Sequence, residues 1–326
     1  MKNNYIVLYH KTDSPNHSHY MYKDLANIED VTLCSGGVDS KNKYLHYVYD
    51  MIKKHINNER VGHSILYKMI SRSEEIRKVK LSDNKTNVLF INDQGLHKYY
   101  VDLLLDIKRE HHNVVFVVQW LNAVSTVPGC FYEQMERLNP CLVLTDDPGD
   151  AEKYGWVFWM DCLSQIDDIK TGKNSEVFFA GVAKDRENKI LDAYTKFTKY
   201  GIKCDFTIVG KKNNNPNISD RYLEYRELIA RDKGANCLLE IMQSGQLGYT
   251  CRAQEAIVLN KKLLTNNKWI VNSKYYNPGF IKVFDEIGDD EIAFIKKDTP
   301  VDYQYDGGFS PLRLIDFLED TIIESN

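Results

Sequence analysis

Residues Cys237–Asn267, CLLEIMQSGQLGYTCRAQEAIVLNKKLLTNN, hold the pattern from which the architecture follows. Cys237-Leu238-Leu239 is a short apolar run closed by Glu240, a loop containing Gly245 and Gly248 follows, and a helix starts near Arg252 and carries Glu255. The run Lys262-Leu263-Leu264-Thr265 then supplies a second strand, which ends at the polar pair Asn266-Asn267. This is a βαβ crossover with a glycine loop at its helix start. A helix N-terminus offers unpaired N–H groups and a positive dipole end, so a loop that brings backbone close there suits a phosphate or another anion. Arg252 adds a planar cation beside it. Glu255 lies three residues on, so guanidinium and carboxylate can face one ligand, the first toward phosphate and the second toward sugar hydroxyls. The same letters also describe an ordinary crossover whose Arg and Glu form a helical ion pair.

Upstream the rhythm repeats. Val177 to Ala180 reads as a strand ended by Gly181, the loop holds Lys184-Asp185-Arg186, a helix is predicted from about Glu187 to Tyr200, and Cys204 to Val209 is the next strand. Lys184 and Arg186 then project beside a helix N-terminus, where a diphosphate feels both side-chain charge and dipole. A solvated helix start accounts for the same residues. Before this unit, LSQIDDIKTGKNSE (163–176) loses the apolar rhythm and reads as an interdomain connection.

The first half alternates as well. Strands are predicted at Tyr5 to Tyr9, Val31 to Cys34, Asn87 to Asn92, Val114 to Gln119, Cys141 to Thr145 and Trp156 to Met160, with helices at about 20–27, 41–56, 96–110, 132–138 and 150–154. Nearly continuous apolar strands separated by helices imply a parallel sheet covered on both faces. No GxGxxG follows the first strand, so a dinucleotide fingerprint is missing. His17 and His19 lie in the loop after the first strand and are acid or base candidates, although a turn-rich surface loop explains them equally. Asp93, just past the third strand, is a third candidate by position.

Two segments point elsewhere. Ser35-Gly36-Gly37-Val38-Asp39-Ser40 resembles the phosphate-gripping loop of PP-loop ATP pyrophosphatases; two glycines for a tight exit and Asp39 or Ser40 capping a helix explain the same letters. Between Lys41 and Lys80, ten Lys or Arg residues face four acids, which suits peripheral contact with anionic lipid or simply a solvated helical surface.

With 326 residues, two domains are expected, and 43% hydrophobic with 27% charged residues is an ordinary globular composition. A net charge of −4 argues against general nucleic-acid binding. No apolar stretch approaches a membrane span and the N-terminus does not read as a secretion signal, so a cytoplasmic location, extending to the inner face of the membrane, is expected. The seven cysteines are scattered and never form CxxC, which favours reduced core thiols over a disulfide frame or a zinc site.

The pattern FFAGVAKDRENKILDAYTKFTKYGIKCDFTIVG resembles the opening of the carboxyl-terminal domain of GT-B glycosyltransferases. The later stretch is similar to bacterial GT-B-type proteins of lipopolysaccharide, capsule and exopolysaccharide biosynthesis, in which Q-x-G-x-T-x-R-x-x-E-A precedes K-K-L-[IL]-T-x-N; Gln246, Gly248, Thr250, Arg252, Glu255, Ala256, Lys262, Leu263, Thr265 and Asn267 occupy the matching places. The resemblance covers about Val177 to Phe284. It implies an α/β chain of two Rossmann-like domains facing across a cleft, an acceptor-side domain at 1–168, a nucleotide-sugar domain at 169–308 and a closing helix at 309–326. It implies a glycosyltransferase acting on a UDP- or GDP-linked donor and a surface glycan or lipid-linked acceptor, without cofactor or metal. Donor contacts are expected from Gly181, Lys184, Arg186, Glu240, Gln246, Gly248, Tyr249, Thr250, Arg252 and Glu255, and the catalytic base from His17, His19 or Asp93. The family's usual E-G-x-G loop is replaced here by Gln246-Leu247-Gly248, which leaves donor sugar and stereochemistry open. A PP-loop-type ATP pyrophosphatase and a catalytically silent assembly subunit of GT-B fold are the rival readings.

Overall fold

The structure, a computed structural model, describes residues 1–9, 16–35, 51, 71–72, 74–210 and 218–323. Gly36 to Ser40, the expected helix at 41–56 and most of the basic 41–80 stretch lie outside the described residues. The described chain falls into two compact units, one running to Ser164 apart from Asn16 and His17 and resuming at Ser310, the other comprising Gln165–Phe309 with Asn16 and His17.

In the first unit, β1 (Asn3–Tyr9), β2 (Val31–Ser35), β3 (Thr86–Asn92), β4 (Val114–Trp120), β5 (Leu142–Thr145) and β6 (Val157–Phe158) form one sheet in the order β2-β1-β3-β4-β5-β6. Every pairing is parallel. Between them run α1 (His17–Tyr22), α2 (Lys98–Glu110), α3 (Gly129–Leu138) and α4 (Pro148–Tyr154). Alternation along β3 sends Leu89 and Ile91 into a core with Tyr99, Leu103 and Ile107 of α2, and Val88 and Phe90 into a second core with Met21 and Tyr22 of α1. Apolar residues on both faces are what a buried parallel sheet requires. The start of α4 shows local sequence control: the Asp147 carboxylate accepts from the amides of Gly149 and Asp150, Pro148 fills the first turn, and Gly155 ends the helix with φ +68°.

The second unit repeats the plan with β7 (Ser175–Val182), β8 (Cys204–Val209), β9 (Ile218–Ser219), β10 (Ala235–Glu240), β11 (Lys262–Thr265) and β12 (Ile281–Val283), ordered β12-β11-β10-β7-β8-β9 and wholly parallel. Counted from β7, this is the Rossmann order 3-2-1-4-5-6. Its helices are α5 (Glu187–Lys199), α6 (Tyr225–Gly234), α7 (Cys251–Val258) and α8 (Asp289–Lys296). Ile190, Ala193 and Phe197 of α5 and Ile292 and Ile295 of α8 share a core with Val177, Phe179 and Leu239, while α6 and α7 lie against β10. The lysine pair at the start of β11 closes two helices: Lys261 Nζ donates to the Lys233 carbonyl at 2.7 Å at the end of α6, and buried Lys262 Nζ to the Phe294 carbonyl at 2.8 Å near the end of α8. Cations belong at helix C-termini, where carbonyls lack partners.

After the second unit the chain returns to the first through α9 (Pro311–Ile323), whose Leu314, Ile315, Leu318 and Ile322 pack with Tyr5, Val7 and Met21. Phe317 stacks on Trp159, with ring centroids 4.4 Å apart. Both units are thus Rossmann-like α/β domains.

Candidate functional site

In an open parallel sheet, ligands lie beyond the carboxyl ends of the strands at the place where strand order reverses. For the second unit that place is between β7 and β10, flanked by the turn Lys184–Arg186 and by the loop 241–250 leading into α7. The sequence candidates of this unit gather around that loop.

The turn after β7 ties itself to the loop. A Cβ at Gly181 would come within 2.9 Å of an Arg186 guanidinium nitrogen, so glycine leaves room for that side chain over the strand end. The guanidinium donates to the Val182 carbonyl at 3.3 Å and to the Ile241 carbonyl, and lies over the Phe179 ring. Asp185 accepts from the Ser244 amide at 3.0 Å. Lys184 is exposed and left-handed, with φ +44°. A lysine gains nothing from that conformation in the turn itself, so the strain is carried by its surroundings.

The loop is also fastened from β11. The Asn266 side chain accepts from the Met242 amide at 2.7 Å, and Asn267 Nδ2 donates to the Gly248 carbonyl at 2.7 Å. Gly245 and Gly248 adopt φ +83° and +78°, which L-residues rarely do. Thr250 is the N-cap of α7, accepting from the Ala253 amide at 3.3 Å while donating to buried Glu240. Thr265 donates to the other Glu240 oxygen. Burial pushes the Glu240 carboxyl up, and the two threonines with Arg252 and Arg186 pull it back. Gln246 is half-buried in the loop. Tyr249 points inward, bonding Ser273 and meeting Trp269 and Phe309 edge-on.

Arg252 and Glu255 are brought together in the interior. Arg252, with 11% of its side chain exposed, pairs with Asp232 and with Glu255 at 3.0 Å, donates to the Ala180 carbonyl at 3.4 Å and lies over Phe178. Asp232 is 0% and Glu255 2% exposed. Burial raises the carboxyls of both, opposed by the Arg252 charge. The helical ion pair weighed from sequence is therefore present, extended by Asp232 from α6. Sequence reading missed Asp232, Asp185, Thr265 and Asn266 as members of this site. Thr265 and Asn266 directly follow an apolar run and were in view; Asp232 gives no local signal.

The three base candidates do not form one group. His17 belongs with the second unit and meets Tyr225 edge-on, ring centroids 5.1 Å apart, where burial draws its pKa down to about 4. His19 is half-buried against Tyr20. Asp93 is buried at the end of β3 in the first unit, accepting from Asn122 at 2.9 Å, and burial raises its carboxyl. Among the described residues, no group of three or more His, Cys, Asp or Glu side chains is arranged to hold a metal ion, and no helix is long and apolar enough to cross a membrane.

No family model and no curated protein matches the chain. Among solved structures, it is similar to LpCGTa in complex with UDP (11% identity, 97% of this chain and 99% of that chain, TM-score 0.48). An α,α-trehalose 6-phosphate synthase from Burkholderia multivorans matches at 6% identity over 100% of both chains, with TM-score 0.47. A glycosylation-associated protein (Gap123) complex from Streptococcus agalactiae matches at 11% identity and TM-score 0.40; the alignment takes in 73% of this chain but only 53% of that one. The fold rests on the chain's own strand order and parallel pairing.

Proposed function

We propose that the chain is a glycosyltransferase whose second unit holds the diphosphate of a UDP- or GDP-linked sugar. One observation carries the reading: at the reversal point of a Rossmann sheet, a loop with two left-handed glycines is clamped by Asp185, Arg186, Asn266 and Asn267 and delivers its backbone to the N-terminus of α7. Amides and dipole at that terminus supply the positive field that a departing diphosphate needs, aided by Lys184 of the turn that Asp185 ties to the loop, so no metal is required. Arg252 and Glu255 act from beneath, fixing α7 against α6 and β7. The acceptor is a bacterial surface glycan or its lipid-linked precursor, and the basic 41–80 region is the proposed point of contact with a membrane. The sequence similarity over Val177 to Phe284 supports the same class. The test is release of free sugar from UDP- and GDP-hexoses in water: slow hydrolysis of one donor is expected, suppressed in Lys184→Ala.

A second reading is favoured by a specific observation. Arg252 and Glu255, expected from their spacing to face one ligand through phosphate and sugar hydroxyls, are committed to Asp232 and to each other. A silent assembly subunit would keep them as a structural clamp alone. Nucleotide binding without hydrolysis of any donor would support that reading and remove the first.

A further inference from the structure

The glycine loop of the second unit begins and ends on one side chain. Glu240 closes β10, and its carboxylate, 3% exposed, accepts the hydroxyl hydrogen of Thr250 on one oxygen and that of Thr265 on the other. Thr250 lies at the far end of the loop, 10 residues along the chain. Thr265 closes β11, the neighbouring strand, in register with Glu240. Each hydroxyl oxygen in turn accepts a backbone amide: Thr250 takes that of Ala253, in the first turn of α7, at 3.3 Å, and Thr265 takes that of Asn267 at 2.9 Å. Asn267 is the residue whose Nδ2 holds the Gly248 carbonyl at 2.7 Å. Both ends of the segment 248–250 therefore refer back to one carboxylate.

A hydroxyl has one hydrogen, so each threonine serves its amide and Glu240 together only where Glu240 accepts at both oxygens. A carboxylate does so. An amide in its place has an acceptor at one end and donors at the other, and the threonine at the donor end loses the partner of its hydrogen. The Thr250 hydroxyl and the Gly248 carbonyl are already engaged by this arrangement, so what the start of α7 offers a ligand is amide hydrogen. We propose that Glu240 is a positioning residue: without touching the nucleotide, it latches the loop so that the α7 terminus meets a diphosphate in one fixed geometry. This role rests on the donor reading above, and it differs from the direct donor contact that the resemblance implies for Glu240. Charge alone predicts the opposite behaviour. A carboxylate beneath an anion site repels the ligand, so a neutral amide there should bind it tighter. A latch needs both acceptors, so the amide should bind it weaker.

The experiment is calorimetric titration of UDP and GDP into the full chain, the variants Glu240→Gln, Thr265→Val and Thr265→Ser, and the double variant Glu240→Gln, Thr265→Val, with thermal melts to report folding. Whichever nucleotide the parent binds is expected to bind about tenfold or more weaker to Glu240→Gln and to Thr265→Val, and within about twofold of the parent to Thr265→Ser. Because the two residues act as one unit, the double variant should be no weaker than the weaker single by more than about twofold. Affinity in Glu240→Gln equal to the parent or tighter, a loss in Thr265→Ser as large as in Thr265→Val, or losses that multiply in the double variant would overturn the proposal. If Glu240→Gln does not fold, the threonine pair decides. Hydrogen exchange without nucleotide keeps the two readings apart: the amides of Ala253 and Asn267 should exchange about tenfold or more faster in Glu240→Gln or Thr265→Val than in the parent, while those of α5 hold. Unchanged rates remove the latch. Faster exchange in a chain whose parent form binds neither nucleotide removes the donor reading and leaves Glu240 a purely structural tie. Nucleotide binding that the variants leave intact removes only the positioning role.

Discussion

Replacing Arg252 with methionine probes the interior of the second unit most sharply. Methionine keeps most of the volume and the helix propensity but removes the cation paired with Asp232 and Glu255, 0% and 2% exposed, leaving only Lys261, bonded to the Lys233 carbonyl, acting on Asp232. Removing one member of a buried ionic group costs about 3–5 kcal/mol, because the remaining charge is buried and uncompensated. With a urea dependence of about 1–3 kcal/mol per molar, the unfolding midpoint should fall by about 1–5 M. Far-UV circular dichroism in urea measures this, with hydrogen exchange in β10 and α7 locating it. The triple variant Arg252→Met, Asp232→Asn, Glu255→Gln should recover most of the loss, since a buried ion pair replaced as a whole is often close to neutral. A midpoint for Arg252→Met within about 0.3 M of the parent would refute the clamp and return Arg252 to the ligand side.

Other outcomes follow from the same geometry. Asp161 carries a folded-state pKa of about 8 against about 3.9 unfolded, so the folded chain holds the extra proton between those values and stability falls as pH rises through that window, by up to about 1.4 kcal/mol per unit. Urea midpoints at pH 5 and pH 8 should therefore lie closer together in Asp161→Asn than in the parent. Thr250→Val removes the cap of α7 and a donor to buried Glu240, and should cost about 2 kcal/mol in the same assay. Gly234→Ala would press a Cβ into the Lys173 carbonyl, backbone against backbone, and should cost about 3 kcal/mol, visible as a lowered melting temperature.

The architecture was legible wherever strands were apolar throughout. Val114 to Val118 is one such run, and Cys204 to Val209, broken by Asp205 and Thr207, reads as a strand from its neighbours; alternation with helices pointed to two parallel sheets. Two of the shortest strands were not: β9 has two residues and β12 three, and neither stood out. His17 to His19, read as loop, form the first turn of α1, because the turn formers stop at Asn16 and Tyr20 and Met21 bury against the sheet. In the second unit the loop and its helix start were legible, since glycine, cap and cation follow one another in the chain. The pairing of Arg252 with Asp232 was not, because it joins α7 to α6 across 20 residues. Asp93 could be nominated only by its place after a strand.

The central claim is that the second unit binds a nucleoside diphosphate at the N-terminus of α7 with help from Lys184. Calorimetric titration of UDP and GDP into the parent chain and Lys184→Ala tests it directly. Saturable one-site binding of one nucleotide is expected, weakened about tenfold or more in the variant while its melting temperature holds. Absence of heat with either nucleotide, or equal affinity in both proteins, would contradict it.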